Sequence, residues 1–220
     1  MDSPEQELLR SGARGFGLEL GPAELTRFDQ YLALIQKWSG KMSLTALRND
    51  REIVIKHFLD SLAVHPLLSD RLFVMDLGAG VGCPGIPLKL ARPTLKLLLL
   101  EAKAKKVSFL NQAIRTLELK EVRAIQQRAE DSLFQQGLKH QVDVVLARAV
   151  GELDWLVRLS APYLRPGGRL VAMKGPKPEA EIEQAGAAMK QVGCRVQAVR
   201  PYTLPVLNDP RTLVVVQFGA

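Results

Sequence analysis

Four glycines, Gly78, Gly80, Gly82 and Gly85, follow an apolar run within a few residues, and no other stretch restricts the possible folds as much. The run, Leu72-Phe73-Val74-Met75, has the length and composition of a short buried strand, closed by Asp76. Glycine lacks a Cβ, so it takes positive φ and lets backbone approach a ligand closely. Gly85-Ile86-Pro87-Leu88 then opens a helix. A strand that ends in a glycine turn and feeds a helix makes a ligand crevice at the carboxyl edge of an α/β sheet. So many glycines carry an entropic cost, which argues against an idle loop.

Two cofactor classes use such a crevice. Gly80-Val81-Gly82-Cys83-Pro84-Gly85 satisfies the dinucleotide pattern G-x-G-x-x-G, with Glu101 further on. The register argues the other way. The cluster begins at Gly78, two residues after a carboxylate, whereas a pyrophosphate seeks bare backbone N–H groups at a helix N-terminus. Asp76 would repel that group and favour the cationic sulfonium and ammonium of S-adenosylmethionine. D-x-G-x-G-x-G, formed by Asp76, Gly78, Gly80 and Gly82, therefore favours the methyl donor over NAD.

The chain has 220 residues, enough for one α/β core and a modest extension. No apolar run reaches membrane-spanning length. The start, MDSPEQELLR, has no signal-peptide pattern. Cys83 and Cys194 lie far apart, and His57, His65 and His140 are scattered, so reduced thiols in a cytoplasmic protein without a metal site are expected. Thirty basic residues against 23 acidic ones leave +7, which attracts a polyanion without proving one. Lys89, Arg92, Lys96, Lys103, Lys105 and Lys106 gather around the crevice, and Arg165, Arg169, Lys174 and Lys177 form a second group. Each alone reads as part of a solvated face. Their placement near strand ends raises nucleic acid above small molecules as substrate.

Helical spacing predicts a helix within residues 3–20 and a second from Gly21-Pro22 to Ser39-Gly40, its Tyr31 and Trp38 belonging to the core. A third, capped by Asn49 or Asp50, should run to about Leu68. Residues 1–70 thus read as a helical extension on an α/β domain of residues 71–220. Beyond the first strand, residues 95–100, 122–126, 142–147 and 170–173 alternate with helices at 103–119 and 179–192, which implies a mostly parallel sheet. Strands at 195–199 and 213–218 have no room for a helix between them and should pair antiparallel. Seven strands with a terminal hairpin are a methyltransferase habit.

Several strand ends carry candidate site residues. Glu101 can accept from the vicinal hydroxyls of a ribose, a role open to either cofactor. In Ala129-Glu130-Asp131 an acidic residue could reach an adenine amino group, although Asp131 reads nearly as well as a helix cap. Arg148 ends the fourth strand, where the acceptor is expected. Lys174, at the end of the fifth, reads equally as an RNA phosphate contact and as a solvated lysine. Neither end carries a cysteine nucleophile for pyrimidine C5. Ala147-Arg148-Ala149-Val150 replaces the Asn/Asp-Pro-Pro-aromatic run that serves exocyclic amines. The sequence therefore suits an acceptor that is already nucleophilic, and guanine N7 qualifies.

The chain resembles the bacterial 16S ribosomal RNA guanine-N7 methyltransferases of the RsmG (GidB) family. The resemblance rests on Trp38 with Ser43-Leu44-Thr45-Ala46, on His57-Phe58-Leu59-Asp60-Ser61-Leu62 and on the central DLGAGVGCPGIPL. Lys105-Lys106-Val107-Ser108-Phe109-Leu110, Ala147-Arg148-Ala149, Met173-Lys174-Gly175 and the tail from Leu204 to Val216 extend it. Ser43 stands where the family usually has Asn, Cys83 where Leu or Phe is common, and Ala147 where Ser usually precedes the Arg. The resemblance implies a Rossmann-like class I methyltransferase fold. It implies contacts to S-adenosylmethionine from Gly78, Cys83, Ala129, Glu130 and Arg148, with Glu101, Ala102 and Lys103 along the ribose side. It further implies 7-methylguanosine in the decoding region as product, and 16S ribosomal RNA or the small subunit as partner of a monomer off the membrane.

Overall fold

The computed structural model describes residues 4–47 and 49–219; Ser3, within the first expected helix, lies outside them. Seven strands form one sheet: β1 (Phe73–Leu77), β2 (Lys96–Glu101), β3 (Val122–Gln126), β4 (Val142–Arg148), β5 (Leu164–Lys174), β6 (Cys194–Leu204) and β7 (Asp209–Phe218). Their order is β3-β2-β1-β4-β5-β7-β6. The neighbours from β3 to β5 pair parallel, and β7 runs antiparallel to both β5 and β6. Only Pro205 to Asn208 separate β6 from β7, too little chain for a crossover helix, so a hairpin results. The strand order reverses between β1 and β4, and at such a point an α/β sheet opens a crevice.

The opening helices are α1 (Pro4–Arg14) and α2 (Pro22–Ser39), the latter begun by Pro22 and by Glu24, whose carboxylate accepts the Gly21 N–H at 3.0 Å. Asn49 caps α3 (Asp50–Ile53) by accepting the Glu52 N–H at 2.8 Å. The helix then widens into a π-helical stretch, Val54–Leu59, before returning as α4 (Asp60–Leu62). Periodicity alone does not announce that widening. π-helical turns are rare and recur at functional sites. The helix stops short of the expected Leu68, and a 3₁₀ turn containing Pro66 follows it.

Later helices are α5 (Gly85–Ala91), α6 (Ala104–Thr116), α7 (Ser132–Gly137), α8 (Leu153–Ser160), α9 (Glu179–Gln184) and α10 (Gly186–Val192). The single helix expected at 179–192 is thus two. Alternate residues of a strand face opposite ways, which splits the core. Val74, Leu99, Leu146 and Val171 pack with Phe28, Tyr31, Phe58, Ile86 and Phe109 on one side of the sheet. Met75, Leu100, Val145 and Leu170 pack with Leu156, Val157 and Ala188 on the other. The first helices therefore share a core with the sheet. Among the described residues no helix is long and apolar enough to cross a membrane.

Candidate functional site

The glycine turn leaves β1 through three positive φ values, 69° at Gly78, 57° at Gly80 and 87° at Gly82. Space is as restrictive as torsion at two of them. A Cβ on Gly78 would stand 2.8 Å from Val150 Cγ2, and one on Gly82 would stand 2.4 Å from Ile86 Cδ1. From α2 the buried Tyr31 hydroxyl donates to the Val81 carbonyl and lies 3.8 Å from Cys83 Sγ. Its ring stacks on Phe58 with centroids 5.3 Å apart. Tyr31 is core, as its spacing predicts, and it also clamps the turn. Burial raises the Cys83 thiol to about 11, so it stays protonated among its neighbours.

Asp76 is not at the strand tip. β1 runs one residue further, to Leu77, and turns Asp76 inward with Val74 toward α5. It is 1% exposed, and Oδ2 accepts the Gly85 N–H at 2.8 Å. Oδ1 has no partner among the described residues. Burial lifts its pKa to about 7, partly offset by the Gly85 N–H and by Arg148. The expected surface charge is thus a buried acid that ties the turn to the start of α5.

Beside the turn, Leu77, Gly78, Glu101, Ala102, Ala129, Glu130, Val150 and Trp155 line a cleft of about 170 Å³. Five of the expected cofactor residues meet there: Gly78, Glu101, Ala102, Ala129 and Glu130. Glu101 accepts the Gly80 N–H at 3.0 Å through Oε2 and the Lys103 N–H at 2.9 Å through Oε1. Gly80 and Lys103 therefore serve the cleft through backbone, while Gly82 and Cys83 lie buried behind it. Tyr163 Oη at 2.6 Å and Gln135 Nε2 at 2.8 Å both donate to the Ala129 carbonyl, which fixes the far wall. Asp131 is the cap of α7, accepting the Phe134 N–H at 2.9 Å.

Arg148 lies elsewhere. It lines a larger pocket of about 590 Å³ with Thr45, His57, Asp60, Met173 and Tyr202, and Val150 borders both cavities. Arg148 Nη1 donates to the Lys56 carbonyl at 2.9 Å and to Asp60 Oδ2 at 3.0 Å, and Nη2 donates to His57 Nδ1 at 3.1 Å. Tyr202 Oη donates to Asp60 Oδ1 at 2.7 Å. Burial, then the Arg148 charge, drive the His57 pKa down to about 3, so the ring is neutral. Lys56 and His57 sit on the π-helical stretch and Asp60 follows it directly. Sequence reading singled out these segments as motifs but assigned them no role, and it missed Thr45, His57, Asp60 and Tyr202 as pocket residues.

The expected basic patches are largely engaged. Lys174 is among the residues that line the larger pocket, where it donates to the Gly151 carbonyl at 2.9 Å and pairs with Glu181, which also accepts the Leu153 N–H at 2.6 Å. Lys89 is buried, donating to the carbonyls of Pro93 and Leu95. Arg92 pairs with Asp70 at 3.1 Å, and Arg165 with Asp143 at 2.7 Å. Lys103, Lys105 and Lys177 remain exposed.

An antiparallel β7 inserted between β5 and β6 is the mark of a class I methyltransferase, and the fold is of that class. Solved structures agree on the fold. A SAM-dependent methyltransferase from Aquifex aeolicus superposes with TM-score 0.57 at 16% identity, over 76% of this chain and 93% of that one. A predicted O-methyltransferase from Agrobacterium tumefaciens gives 0.56 at 19% identity, over 74% and 80%. The particular family follows from sequence. The profile described as rRNA small subunit methyltransferase G matches residues 24–209, and the chain belongs to that family. It is 41% identical to the ribosomal RNA small subunit methyltransferase G of Deinococcus deserti, over 99% of this chain and 89% of the relative. The protein of the same name from Acetivibrio thermocellus is 35% identical, over 99% and 91%.

Proposed function

We propose that the protein transfers the methyl group of S-adenosylmethionine to N7 of a guanine in 16S ribosomal RNA. The observation that carries this reading is the locked chemistry of the larger pocket. His57 is neutral, with Nδ1 occupied by Arg148 and Nε2 directed at Thr45 Oγ1, so it has no lone pair with which to take a proton. Asp60 is held between the Arg148 guanidinium on Oδ2 and the Tyr202 hydroxyl on Oδ1. Cys83 is buried in the turn as a thiol. Such a pocket suits an acceptor with a lone pair and no proton to lose. Guanine N7 is one, whereas an exocyclic amine has a proton to shed and a pyrimidine carbon needs a nucleophile.

The residues that line the cleft support a role in holding the methyl donor. Each Glu101 oxygen accepts one backbone N–H and keeps lone-pair capacity for a ribose diol. Gly78 and Ala102 border the cleft with little side chain. Gly78, Glu101, Ala102, Ala129 and Glu130 would hold S-adenosylmethionine. When bound, it supplies a methyl carbon on a sulfonium; N7 forms the new bond and the C–S electron pair returns to sulfur. This chain contributes alignment across the Val150 border and exclusion of water, with no base to move a proton. Alignment of this kind is worth several kcal/mol, on the order of 7 or more in favourable cases. Arg148, committed to Lys56, Asp60 and His57, shapes the pocket and leaves N7 uncovered.

The test is product identity. Labelled S-adenosylmethionine is incubated with unmethylated small subunits or with naked 16S RNA, and the RNA is digested to nucleosides. Label in 7-methylguanosine is expected. Label in another nucleoside, or in neither substrate, overturns the proposal.

A further inference from the structure

The network in the larger pocket ends on a hydroxyl. A guanidinium only donates, so the Arg148 contact makes His57 Nδ1 an acceptor and leaves the ring proton on Nε2. That N–H donates to Thr45 Oγ1 at 2.9 Å, and the Leu47 N–H donates to the same oxygen at 3.2 Å. A hydroxyl oxygen has two lone pairs, and both are thereby filled. The Thr45 hydroxyl proton is what remains, on a partly buried residue that lines the pocket.

We infer that Thr45 reads the acceptor base, its hydroxyl donating to the O6 carbonyl of guanine beside the N7 that is methylated. The inference rests on the guanine-N7 reading above. On this edge guanine presents two acceptors, N7 and O6, whereas adenine sets an amino donor next to N7. A hydroxyl whose lone pairs are occupied has no way to accept from that amino group, so adenine faces donor against donor. Arg148 and His57 act as positioning residues. They touch the base through nothing of their own and set the direction in which Thr45 donates.

Thr45→Val keeps the branched shape and removes the hydroxyl, both its proton and the oxygen that accepts from His57 and Leu47, whereas Thr45→Ser keeps all three contacts. Both are assayed on unmethylated small subunits with saturating S-adenosylmethionine, and the methylated nucleoside is identified by mass spectrometry. Thr45→Val should lower kcat/KM about tenfold, the worth of one neutral hydrogen bond at the upper end of its range. Thr45→Ser should stay close to the unsubstituted protein. Calorimetry should give the same donor affinity for both, because Thr45 lies outside the cleft. Unchanged kcat/KM in Thr45→Val overturns the inference and leaves the guanine-N7 reading standing. An equal loss in both variants also overturns it, since packing and not the donor would then matter. A nucleoside product other than 7-methylguanosine from the unsubstituted protein overturns the underlying reading instead.

Discussion

The cleft and the larger pocket share Val150 but are built by opposite means. Backbone shapes the near side of the cleft: the N–H groups of Gly80 and Lys103 satisfy Glu101, and that of Gly85 holds one oxygen of Asp76. Side chains make the pocket: Thr45, His57, Asp60, Arg148 and Tyr202 come from distant segments, Asp60 and Tyr202 alone being 142 residues apart. A backbone site depends on conformation, so a changed torsion or a lost carboxylate damages it. A side-chain site depends on chemistry at each position, so isosteric changes damage it. The two regions should therefore fail separately.

Titration separates them most. Asp76 keeps its proton to about pH 7 in the fold, against an ordinary 3.8. The native state thus binds the extra proton across that window. This stabilisation is fully present below pH 3.8 and is lost as pH rises to about 7. His57 has the opposite sign. Its pKa drops from 6.5 to about 3, so its contribution is present above pH 6.5 and is lost as pH falls toward 3. Over the overlap the two slopes oppose each other. Relative to the unsubstituted protein, Asp76→Asn should show stability that rises more steeply with pH, and His57→Gln stability that falls. The Asp76 effect should reach about 4 kcal/mol at most. Urea melts at a series of pH values measure this, and parallel pH profiles for all three proteins would break the distinction.

Removing Arg148 strikes the pocket first. Arg148→Ala leaves Asp60 facing Tyr202 with no counter-charge, and its 3.0 Å ion pair is largely buried, with side chains 15% and 11% exposed. Loss of one partner from such a pair costs about 3 kcal/mol. Methyl transfer should fall steeply, while S-adenosylmethionine affinity by calorimetry changes far less. A matching loss of donor affinity would join the two regions and restore Arg148 to the cofactor role that family resemblance implies.

The same contrast explains what could be read from sequence. The strands were legible because short apolar runs and the turns that bound them are local signals. The cleft residues Gly78, Glu101, Ala102, Ala129 and Glu130 were legible because each follows a strand end. Asp76 was placed one register too far out, since a polar residue after an apolar run reads as the strand's end and a buried carboxylate leaves no hydrophobic trace. Lys89 was misread for a related reason: charge suggests solvent, whereas its ammonium group is satisfied inside by the carbonyls of Pro93 and Leu95. The Arg148–Asp60–Tyr202 network was illegible. Nothing local to Tyr202 announces that the terminal hairpin returns it to a helix near the start of the chain.

Glu101→Ala tests the backbone-built side alone. It strips the partners from the Gly80 and Lys103 N–H groups, and with them the carboxylate proposed to hold the ribose. Burying unsatisfied donors costs about 2 kcal/mol in total where water partly compensates. Loss of a ribose hydrogen bond to a charged carboxylate, worth about 2 kcal/mol, should lower S-adenosylmethionine affinity about thirtyfold. Binding of small subunits, followed by filter retention without donor, should stay unchanged. Loss of subunit binding in this variant would mean that the cleft also shapes the RNA surface.

Tyr202→Phe is the gentlest probe and the most discriminating. Burial and the adjoining Asp60 carboxylate push the Tyr202 phenol well above its ordinary range, so at neutral pH it is a donor. Phenylalanine keeps the edge-on packing against Phe16, where ring centroids lie 6.2 Å apart, and deletes only the hydrogen bond to Asp60. Arg148 still neutralises Asp60, so the cost should be about 1 kcal/mol of stability. The freed Asp60 oxygen faces the pocket, and kcat/KM should drop several-fold with no change in donor affinity. If Tyr202→Phe weakens S-adenosylmethionine binding as much as catalysis, Asp60 must transmit strain through Arg148 across the Val150 border. The cleft and the pocket would then be one cooperative site, and the separation of backbone-built from side-chain-built halves would fail at its most sensitive point.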